Sequence, residues 1–393
     1  MNSIFNLNKS IEIAVKSINE VIILGASGSV GRQAFELCIA NPKRFKIKTL
    51  VSGINVDETI RQALIAKPEY IVMANDDAAE RVSNVIDNAI VLSGDIGRKE
   101  AISVGYDIAI TAIPGINGLI STFDIIANAK IVAFANKETI IYAGEKLLEY
   151  AKQYNTCIIP IDSEHNAIFQ ILDSVEQSRI NKVILTGSGG PLLHRVNFDN
   201  ITVEEVLKHP TWKMGHKISV DSATLMNKAL EVIEASYLFG MNFNDIDIVI
   251  HPESIIHGMV KMKDGSLLMH ASAPDMKLPI AYALNWPEVG LFRRDLDLVN
   301  VGKLTFLEPD HNRFPLFKLA LSAAEDSVKS RIIMNYANEL AVNLFLERKI
   351  LFKDIYRIVD FALNLNIQYK EDMSFYEMES FFKIVKLYIL DKF

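Results

Sequence analysis

Cysteine is scarce in this 393-residue chain, which contains only Cys38 and Cys157. The two residues lie far apart and form no C-x-x-C pair, so the sequence excludes a disulfide framework and a thiolate zinc site. Such a composition is typical of a reducing compartment, and we expect a cytoplasmic location.

Long apolar runs and an excess of positive charge are also missing. No run reaches the ~18 residues that a membrane-spanning helix needs. The first twenty residues contain Glu12 and Glu20 and no continuous apolar stretch, so we expect no secretory signal and interpret residues 1–19 as an N-terminal extension. The formal net charge of −7 argues against a nucleic-acid-binding surface. We therefore expect neither a membrane nor a nucleic acid as partner.

Strand-like and helix-like segments alternate between residues 20 and 137. The first is "EVIILGASGSVGRQAFELCIA", a strand, a glycine turn and a helix, and similar pairs follow as far as "KIVAFANKE". Strands that alternate with helices of about ten residues indicate βαβ units and a parallel sheet. The fold class is therefore α/β, with a doubly wound, Rossmann-type domain predicted over residues 20–161.

The remainder of the chain has a different pattern. Short alternating runs with Asp264-Gly265 between two of them indicate a hairpin, so we predict an α+β catalytic and dimerisation domain over residues 162–300. An open sheet edge there is a natural surface for a homodimer. From about residue 312 every segment has helical periodicity, which predicts a C-terminal helical domain over residues 301–393.

Three glycines separate the first predicted strand from its helix. Gly25, Gly28 and Gly31 permit a tight turn, close approach to a pyrophosphate and close helix–strand contact. The spacing is G-x-x-G-x-x-G rather than G-x-G-x-x-G, so a glycine turn without a ligand remains the alternative. The second strand ends in "LVSGINV", without the acidic residue that NAD-selective sites carry, and this favours NADP.

Two carboxylates follow the apolar run "CIIPI". Residues i and i+2 of a strand face the same way, so we expect Asp162 and Glu164 to point together from the end of the strand, and a hard cation such as Mg²⁺ or Mn²⁺ would offset their repulsion. The alternative is a solvated loop in which Asn166 caps the next helix.

A second polar cluster lies in "SVDSATLMNKALEVIEASYLF", interpreted as one helix capped by Asp221 or Ser222. Asn227, Lys228 and Glu231 lie three or four residues apart, so they share a face that suits both an anion and a cation. An ordinary polar helix face is the alternative.

Two further segments complete the candidate site. "LTGSGGP" places a glycine-rich turn after a strand, where backbone N–H groups bind phosphates. "KHPTWKMGHK", within the predicted flap 205–217, exposes Trp212 and Met214, so it is either a closing lid or a packed interdomain loop.

Seven segments together resemble the 1-deoxy-D-xylulose 5-phosphate reductoisomerase family. In chain order they are "GASGSVG", "FANKE", "PIDSEHNAIFQ", "LTGSGGP", "KHPTWKMGHKISVDSATLMNKALEVIEA", "IHPESIIHGMV" and "NYANELAV". The resemblance implies an oxidoreductase that uses NADPH and Mg²⁺ or Mn²⁺, with Co²⁺ a further option. Its reaction would rearrange and reduce 1-deoxy-D-xylulose 5-phosphate to 2-C-methyl-D-erythritol 4-phosphate, in non-mevalonate isoprenoid precursor biosynthesis.

The same resemblance implies roles for individual residues. The metal ligands would be Asp162, Glu164 and Glu231. The catalytic residues would be Lys137, Glu164, His209 and Glu231. The substrate contacts would be Lys137, Ser163, Glu164, Ser188, His209, Trp212, Met214, Ser222, Asn227, Lys228, Glu231 and Ser254. The NADPH contacts would be Ser27, Gly28, Ser29, Val30, Gly53, Ile54, Asn55, Asn136, Glu138 and Gly215.

Ile54 departs from the family pattern, in which a lysine or another polar residue is frequent, and this bears on 2′-phosphate binding. Two other functions stay open. One is a metal-free NADP-dependent dehydrogenase acting on a small phosphorylated substrate, and the other is a non-catalytic NADP-sensing protein.

Overall fold

The computed structural model describes residues 3–11, 18–212, 214–371 and 373–393, apart from the side chains of Phe375 and Tyr376. Residues 1–2 and 12–17 of the predicted extension and Lys213 of the predicted flap therefore lie outside the described residues. The chain forms two compact units. The first consists of Met1–Asp173, Tyr237–Gly240 and Asp275–Asp295, and the second of Ser174–Ser236, Met241–Pro274 and Leu296–Phe393. The four-part division expected from the sequence stays a prediction.

Helices and strands alternate as far as residue 174, except that two helices, α7 and α8, separate β6 from β7. Their bounds are α1 Ile4–Lys9, β1 Asn19–Leu24, α2 Ser29–Ala40, β2 Phe45–Val51, α3 Val56–Ala66, β3 Tyr70–Met73, α4 Asp76–Ser83, β4 Ile90–Ser93, α5 Gly94–Ile102, β5 Tyr106–Thr111, α6 Gly115–Ile126, β6 Ala129–Phe134, α7 Lys137–Ala143, α8 Glu145–Tyr154, β7 Cys157–Pro160 and α9 Ser163–Ser174.

The remaining elements are α10 Val203–Val206, α11 His216–Ala223, α12 Met226–Phe239, α13 Lys277–Asn285, α14 Leu298–Val301, α15 Pro315–Asp326, α16 Val328–Leu346, α17 Phe352–Leu363 and α18 Phe375–Lys392, with strands β8 Ile180–Gly187, β9 Ile246–Ile250, β10 Ile256–Met262 and β11 Leu267–Ala271. Short 3₁₀ helices cover Gln177–Arg179 and Phe243–Asp245.

The first unit is built on a seven-stranded parallel sheet in the order β4-β3-β2-β1-β5-β6-β7. The last four residues of its central strands β1, β5 and β6 are almost all apolar and are buried on both faces, as a parallel sheet covered by helices requires. The strand order reverses beside β1, which is where such sheets bind ligands at the carboxyl ends of their strands. The predicted doubly wound α/β fold is confirmed.

The N-terminal helix α1 packs into this first unit. Phe5 stacks on Phe169 of α9 with ring centroids 4.9 Å apart, and on Phe239 at 5.8 Å. The Asn8 side chain exchanges two hydrogen bonds with the backbone of Ile158, at 3.0 and 3.1 Å. This part of the predicted extension therefore covers the free edge of β7.

The second unit contains a four-stranded sheet in the order β11-β10-β8-β9. β10 and β11 form the predicted antiparallel hairpin, in which Gly265 has φ +89° and Asp264 Oδ1 accepts a hydrogen bond from the Ser266 N–H. β8 pairs with β10 antiparallel and with β9 parallel. The four long helices α15–α18 confirm the helical C-terminal region expected from the periodicity.

Candidate active site

The glycine turn after β1 is shaped as the sequence predicts. Gly25 has φ +89°, and a Cβ on Gly31 would lie 2.1 Å from the Gly25 carbonyl oxygen. Gly28 precedes the first residue of α2. The start of this helix therefore presents its positive dipole end beside the turn, which suits a pyrophosphate.

The residues after β2 lie at the same edge of the sheet. Gly53 and Asn55 are exposed, and the Ile54 side chain is 70% exposed. Asn55 caps α3 by accepting a hydrogen bond from the Glu58 N–H. Ser52 is buried, and its hydroxyl has no hydrogen-bond partner within the described part of the chain.

Asn136 caps α7 at the carboxyl end of β6. Its Oδ1 accepts from the Thr139 N–H, and its Nδ2 donates to the carbonyl of Ile113 at 2.7 Å. A Cβ on Gly118 would lie 1.9 Å from Nδ2, so only glycine leaves room for this amide. Sequence reasoning missed Gly118, although its spacing from Gly115 was a usable signal. Both polar atoms of the Asn136 side chain thus form hydrogen bonds within the protein, so a cofactor contact would use the backbone of Asn136.

The acid segment differs from the extended geometry assumed for it. β7 ends at Pro160 and α9 begins at Ser163, so Glu164 lies in the first turn of a helix and the alternation argument was wrong. Asn166 lies inside α9, and its Nδ2 donates to the Pro160 carbonyl at 2.8 Å. The alternative in which Asn166 caps the helix was therefore also wrong.

Two polar contacts hold the acidic side chains of this segment. Lys137 Nζ lies 2.7 Å from Asp162 Oδ2, and the Ser163 hydroxyl donates to Glu164 Oε2. Lys137 and Glu138 are buried at the start of α7. The first unit therefore brings Lys137, Asp162, Ser163 and Glu164 together at the carboxyl end of its sheet.

The single helix predicted around Ser222 is in fact two. α11 ends at Ala223 and α12 begins at Met226, with Leu225 between them at φ +59°. Asp221 and Ser222 lie in the last turn of α11, so the prediction that either one caps the following helix was wrong. The Thr224 hydroxyl instead accepts a hydrogen bond from the Met226 N–H at 3.3 Å.

The predicted polar face of α12 is present. Glu231 is fully buried, and its Oε1 and Oε2 accept hydrogen bonds from Asn227 Nδ2 and Lys228 Nζ, each at 2.5 Å. A buried carboxylate requires such partners because burial without them costs several kcal/mol. The arrangement puts an ammonium, an amide and a carboxylate on one turn of helix.

The glycine loop after β8 packs against this face. A Cβ on Gly187 would lie 2.9 Å from Lys228 Cε, and one on Gly190, at φ +70°, would lie 2.3 Å from the Ser222 carbonyl oxygen. Only glycine permits the approach at Gly190, whereas a side chain at Gly187 would displace the flexible end of Lys228. The second unit therefore gathers Ser188, Ser222, Asn227 and Lys228, which we name the phosphate cluster because the family resemblance implies that they bind the substrate phosphate.

His209 completes this grouping. Its Nδ1 accepts backbone hydrogen bonds from Thr211 and Trp212, so the ring proton lies on Nε2, which donates to Ser188 Oγ at 3.0 Å. Ser188 Oγ also accepts from the Gly190 N–H at 3.2 Å, which leaves the Ser188 hydroxyl proton to donate to a ligand. Burial lowers the pKa of His209 to about 4, so the ring is neutral at pH 7.

The described residues between α10 and α11, which are 207–212, 214 and 215, form no helix or strand in the predicted flap. The Trp212 ring meets His257 edge-on with centroids 6.0 Å apart, and Trp212 and Met214 are half-buried. Gly215 precedes α11 and is exposed.

Ser254 lies between β9 and β10 in a strained conformation, with φ +52°. Its hydroxyl is buried and has no hydrogen-bond partner among the described residues. A strained residue with an unsatisfied polar atom is typical of a binding site.

A buried network fixes α11. The Asp221 carboxylate accepts from Asn338 Nδ2 at 2.7 Å and pairs with Lys217 at 3.0 Å. Asn338 belongs to the "NYANELAV" segment, whose role sequence reasoning missed because its partner is more than a hundred residues away.

No helix within the described ranges is long and apolar enough to cross a membrane.

Three family models match the chain. One described as 1-deoxy-D-xylulose 5-phosphate reductoisomerase matches residues 21–144, and one described as the C-terminal domain of that enzyme matches residues 158–239. One described as the DXP reductoisomerase C-terminal domain matches residues 271–387.

Curated relatives carry the same name. The 1-deoxy-D-xylulose 5-phosphate reductoisomerase of Sulfurihydrogenibium sp. (strain YO3AOP1) is 45% identical over 343 residues, which are 86% of this chain and 89% of the relative. That of Caldanaerobacter subterraneus subsp. tengcongensis is 40% identical over 381 residues, 95% of this chain and 100% of the relative.

Solved structures of the same enzyme are also similar to this chain. A DOX-P reductoisomerase in complex with NADPH, fosmidomycin and magnesium is 37% identical, has a TM-score of 0.89, and covers 95% of this chain and 98% of its own. The Zymomonas mobilis enzyme in complex with NADPH is 33% identical, with a TM-score of 0.87 and coverage of 94% and 97%. These findings confirm the resemblance noted in the sequence.

Proposed function

We infer the function of this chain from its family, because it belongs to the 1-deoxy-D-xylulose 5-phosphate reductoisomerases. The chain is an NADP-dependent oxidoreductase. It rearranges and reduces 1-deoxy-D-xylulose 5-phosphate to 2-C-methyl-D-erythritol 4-phosphate with NADPH and a divalent cation, which is Mg²⁺ in solved relatives.

The cofactor contacts are proposed along the carboxyl edge of the parallel sheet. The glycine turn supports this proposal, because a Cβ at Gly31 would close it and the start of α2 offers a positive end to a pyrophosphate. The proposed contacts are Ser27, Gly28, Ser29, Val30, Gly53, Ile54, Asn55, Asn136, Glu138 and Gly215. Exposed Ile54 offers no donor to a 2′-phosphate, so Asn55 and the buried Ser52 hydroxyl are the donors beside it.

We propose that Asp162, Glu164 and Glu231 hold the divalent cation. Three carboxylates form the oxygen-only donor set that Mg²⁺ and Mn²⁺ prefer. When bound, the cation acts as a Lewis acid on the substrate oxygens. We propose that Lys137 orients the substrate, which its ammonium 2.7 Å from Asp162 supports.

The observation that carries the proposed function is the phosphate cluster, which meets the buried Glu231 carboxylate on one face of the second unit. Lys228 bridges the two, since it donates to Glu231 and lies against Gly187. We propose that Ser188, Ser222, Asn227 and Lys228 bind the substrate phosphate. Binding energy at this remote end orients the reacting carbons.

His209, Ser254 and the flap are proposed as further substrate contacts. Neutral His209 fixes the Ser188 hydroxyl, so that its proton points to the ligand. The orphaned hydroxyl of Ser254 supports a contact with a substrate oxygen. Trp212 and Met214 would close over the substrate and exclude water.

The first test compares two assays of the purified chain, one without EDTA and one with it. With 1-deoxy-D-xylulose 5-phosphate and Mg²⁺, we expect NADPH oxidation at the nicotinamide absorbance band, and we expect EDTA to stop it. A metal-free dehydrogenase would continue in EDTA, and a non-catalytic sensor would oxidise no NADPH, so either result contradicts the proposal.

The second test is Glu231→Gln, with Glu325→Gln at an exposed position of α15 as the matched control. Losing one ligand charge removes several kcal/mol of charge stabilisation, so we expect kcat to fall about a hundredfold or more. Mn²⁺ affinity, measured by calorimetry, should fall in parallel, whereas NADPH affinity should not change. Unaltered Mn²⁺ affinity would disprove the ligand role.

A homodimer is proposed through β11. This edge strand pairs only with β10 among the described strands, and Leu267, Leu268 and Met269 are each about two-fifths exposed. Three adjacent exposed apolar side chains on an unpaired edge are a template for pairing with a second copy.

A cytoplasmic location is also proposed. Cys38 and Cys157 are free thiols, as is typical of a reducing compartment. Both are buried, and burial raises the pKa of each to about 12, so neither is a reactive thiolate. Cell fractionation that recovers the chain outside the cytoplasmic fraction would contradict this proposal.

A further inference from the structure

The second unit contains a pocket of about 400 Å³ that none of the proposed site residues lines. Its volume falls within the range of about 300–1,000 Å³ that small-molecule sites occupy. We propose that this pocket binds a small anionic amphiphile, with its apolar body inside and its phosphate or carboxylate at the rim, and that its occupant influences the phosphate cluster.

The interior of the pocket is apolar and aromatic. Phe198, Phe314, Phe352 and Tyr356 contribute to its lining, and Phe198 meets Phe314 edge-on with ring centroids 5.5 Å apart. Phe314 and Phe352 are themselves buried, so the wall they form is held by the core. Rigid aromatic walls favour a hydrocarbon body over a fully hydrated ion.

The charged residues that line the pocket are all basic. Arg313 stacks 5.4 Å from the Phe314 ring and donates to the carbonyls of Leu192 and Arg195 rather than to a carboxylate. Lys353 is exposed and has no ion-pair partner among the described residues.

Arg357 is the third cation, and it is partly neutralised by Asp354 at 3.0 Å. The charged side chains at the rim therefore keep a net positive charge. Two helices also begin at the pocket, since α15 starts at Pro315 and α17 at Phe352. Helix N-termini carry positive dipole ends, and both would favour an anion at this position.

Two contacts connect the pocket to the phosphate cluster. Thr224, one of its lining residues, stands between Ser222 and Asn227 and accepts the hydrogen bond that starts α12. The Leu192 and Arg195 carbonyls that hold Arg313 directly follow the glycine loop. An occupant therefore contacts Thr224 directly and reaches the segment after the glycine loop only through Arg313, and its effect on phosphate binding rests on the proposed function.

The test uses octyl phosphate below its micellar concentration, titrated into the full-length chain by calorimetry. Octanol and inorganic phosphate are the comparison probes, because each lacks one half of the proposed ligand. We expect octyl phosphate to bind at least about tenfold more tightly than either probe, which corresponds to ~1.4 kcal/mol.

Three variants locate the binding. Lys353→Glu reverses one rim charge, so it should weaken octyl phosphate binding by about tenfold. The matched charge reversal Lys386→Glu, at an exposed position of α18, should not change the affinity for octyl phosphate. Lys228→Ala in the phosphate cluster should also leave the affinity unchanged.

Three results would overturn the proposal. In the first, Lys228→Ala abolishes binding while Lys353→Glu leaves it intact, which means that the probe occupies the phosphate cluster and the proposed function survives. In the second, octyl phosphate binds no better than octanol, and in the third, Lys353→Glu and Lys386→Glu weaken its binding equally. If binding is confirmed but the affinity for inorganic phosphate does not change on occupancy, the effect on the cluster is disproved.

Discussion

Two lysines each hold one carboxylate that we assign to the cation. Lys137 pairs with Asp162 in the first unit, and Lys228 pairs with Glu231 in the second. Glu231 is fully buried and Asp162 is half-buried, so the ammonium beside each one offsets part of the free-energy cost of burying a carboxylate. A divalent cation binds carboxylates in their deprotonated form.

His209 carries a prediction about pH. Its pKa of about 4 in the folded chain is below the ordinary value of 6.5, because burial disfavours the charged ring. Between these values the unfolded chain binds more protons than the folded chain, so stability falls as the pH is lowered from 6.5 to 4. Protonation must occur at Nδ1, which accepts two backbone hydrogen bonds.

The measurement is the urea midpoint of unfolding at pH 7 and pH 5. We expect a smaller difference between the two midpoints in His209→Gln than in the original chain. His270, whose pKa burial also lowers to about 4, contributes in the same direction, so the double variant with His270→Gln should have a smaller difference still. An unchanged difference in His209→Gln would refute the assignment.

At the scale of elements, the α11–α12 break marks where sequence reasoning failed. The segment contains no glycine or proline, so its helical periodicity predicted one continuous helix. The break at Leu225 is explained by tertiary contacts, since Asn338 holds Asp221 and the glycine loop packs on Ser222. By contrast, the polar face of α12 was predictable, because spacings of three and four residues suffice to define it.

Gly31→Ala tests the close packing of α2 on the glycine turn. Alanine favours the helix by about 1 kcal/mol, but a Cβ located 2.1 Å from the Gly25 carbonyl oxygen forces the elements apart. We expect a net loss of about 1–3 kcal/mol of unfolding free energy, together with weaker NADPH binding. Urea unfolding and NADPH fluorescence titration measure the two effects.

The matched control is Gly53→Ala, where a Cβ would meet nothing within 4 Å. Its unfolding free energy should stay within about 0.5 kcal/mol of the original chain. Equal stability of the two alanine variants would contradict the packing argument.

Phe5→Ala tests the N-terminal helix. Phe5 is buried between Phe169 and Phe239, so its removal leaves a cavity and should cost about 3–5 kcal/mol of unfolding free energy. Lys9→Ala, at the exposed end of the same helix, should change stability little. Thermal unfolding followed by circular dichroism distinguishes them, and two equal melting temperatures would mean that α1 contributes no packing energy.

At the scale of the whole molecule, the proposed homodimer predicts a solution mass of twice that of the chain. The double variant Leu267→Lys/Met269→Lys places two ammonium groups on one face of the β11 edge, and their repulsion should convert the dimer to a monomer. Ile96→Lys, at an 85% exposed position on α5, is the control that should stay dimeric. Light scattering after size-exclusion chromatography measures the masses, and a double variant that remains dimeric would rule out this edge.

The sequence alone determined the doubly wound first unit, the hairpin, the helical C-terminal region and the family, because these depend on short-range periodicity and local motifs. It did not determine the helical position of Glu164, the interruption at Leu225, the packing of α1 or the Asp221–Asn338 contact. Each of these depends on residues that are distant in sequence but packed together in the fold. Tertiary packing decides them, because the burial and hydrogen-bond energy of such contacts exceeds the fraction of a kcal/mol per residue that local preferences supply.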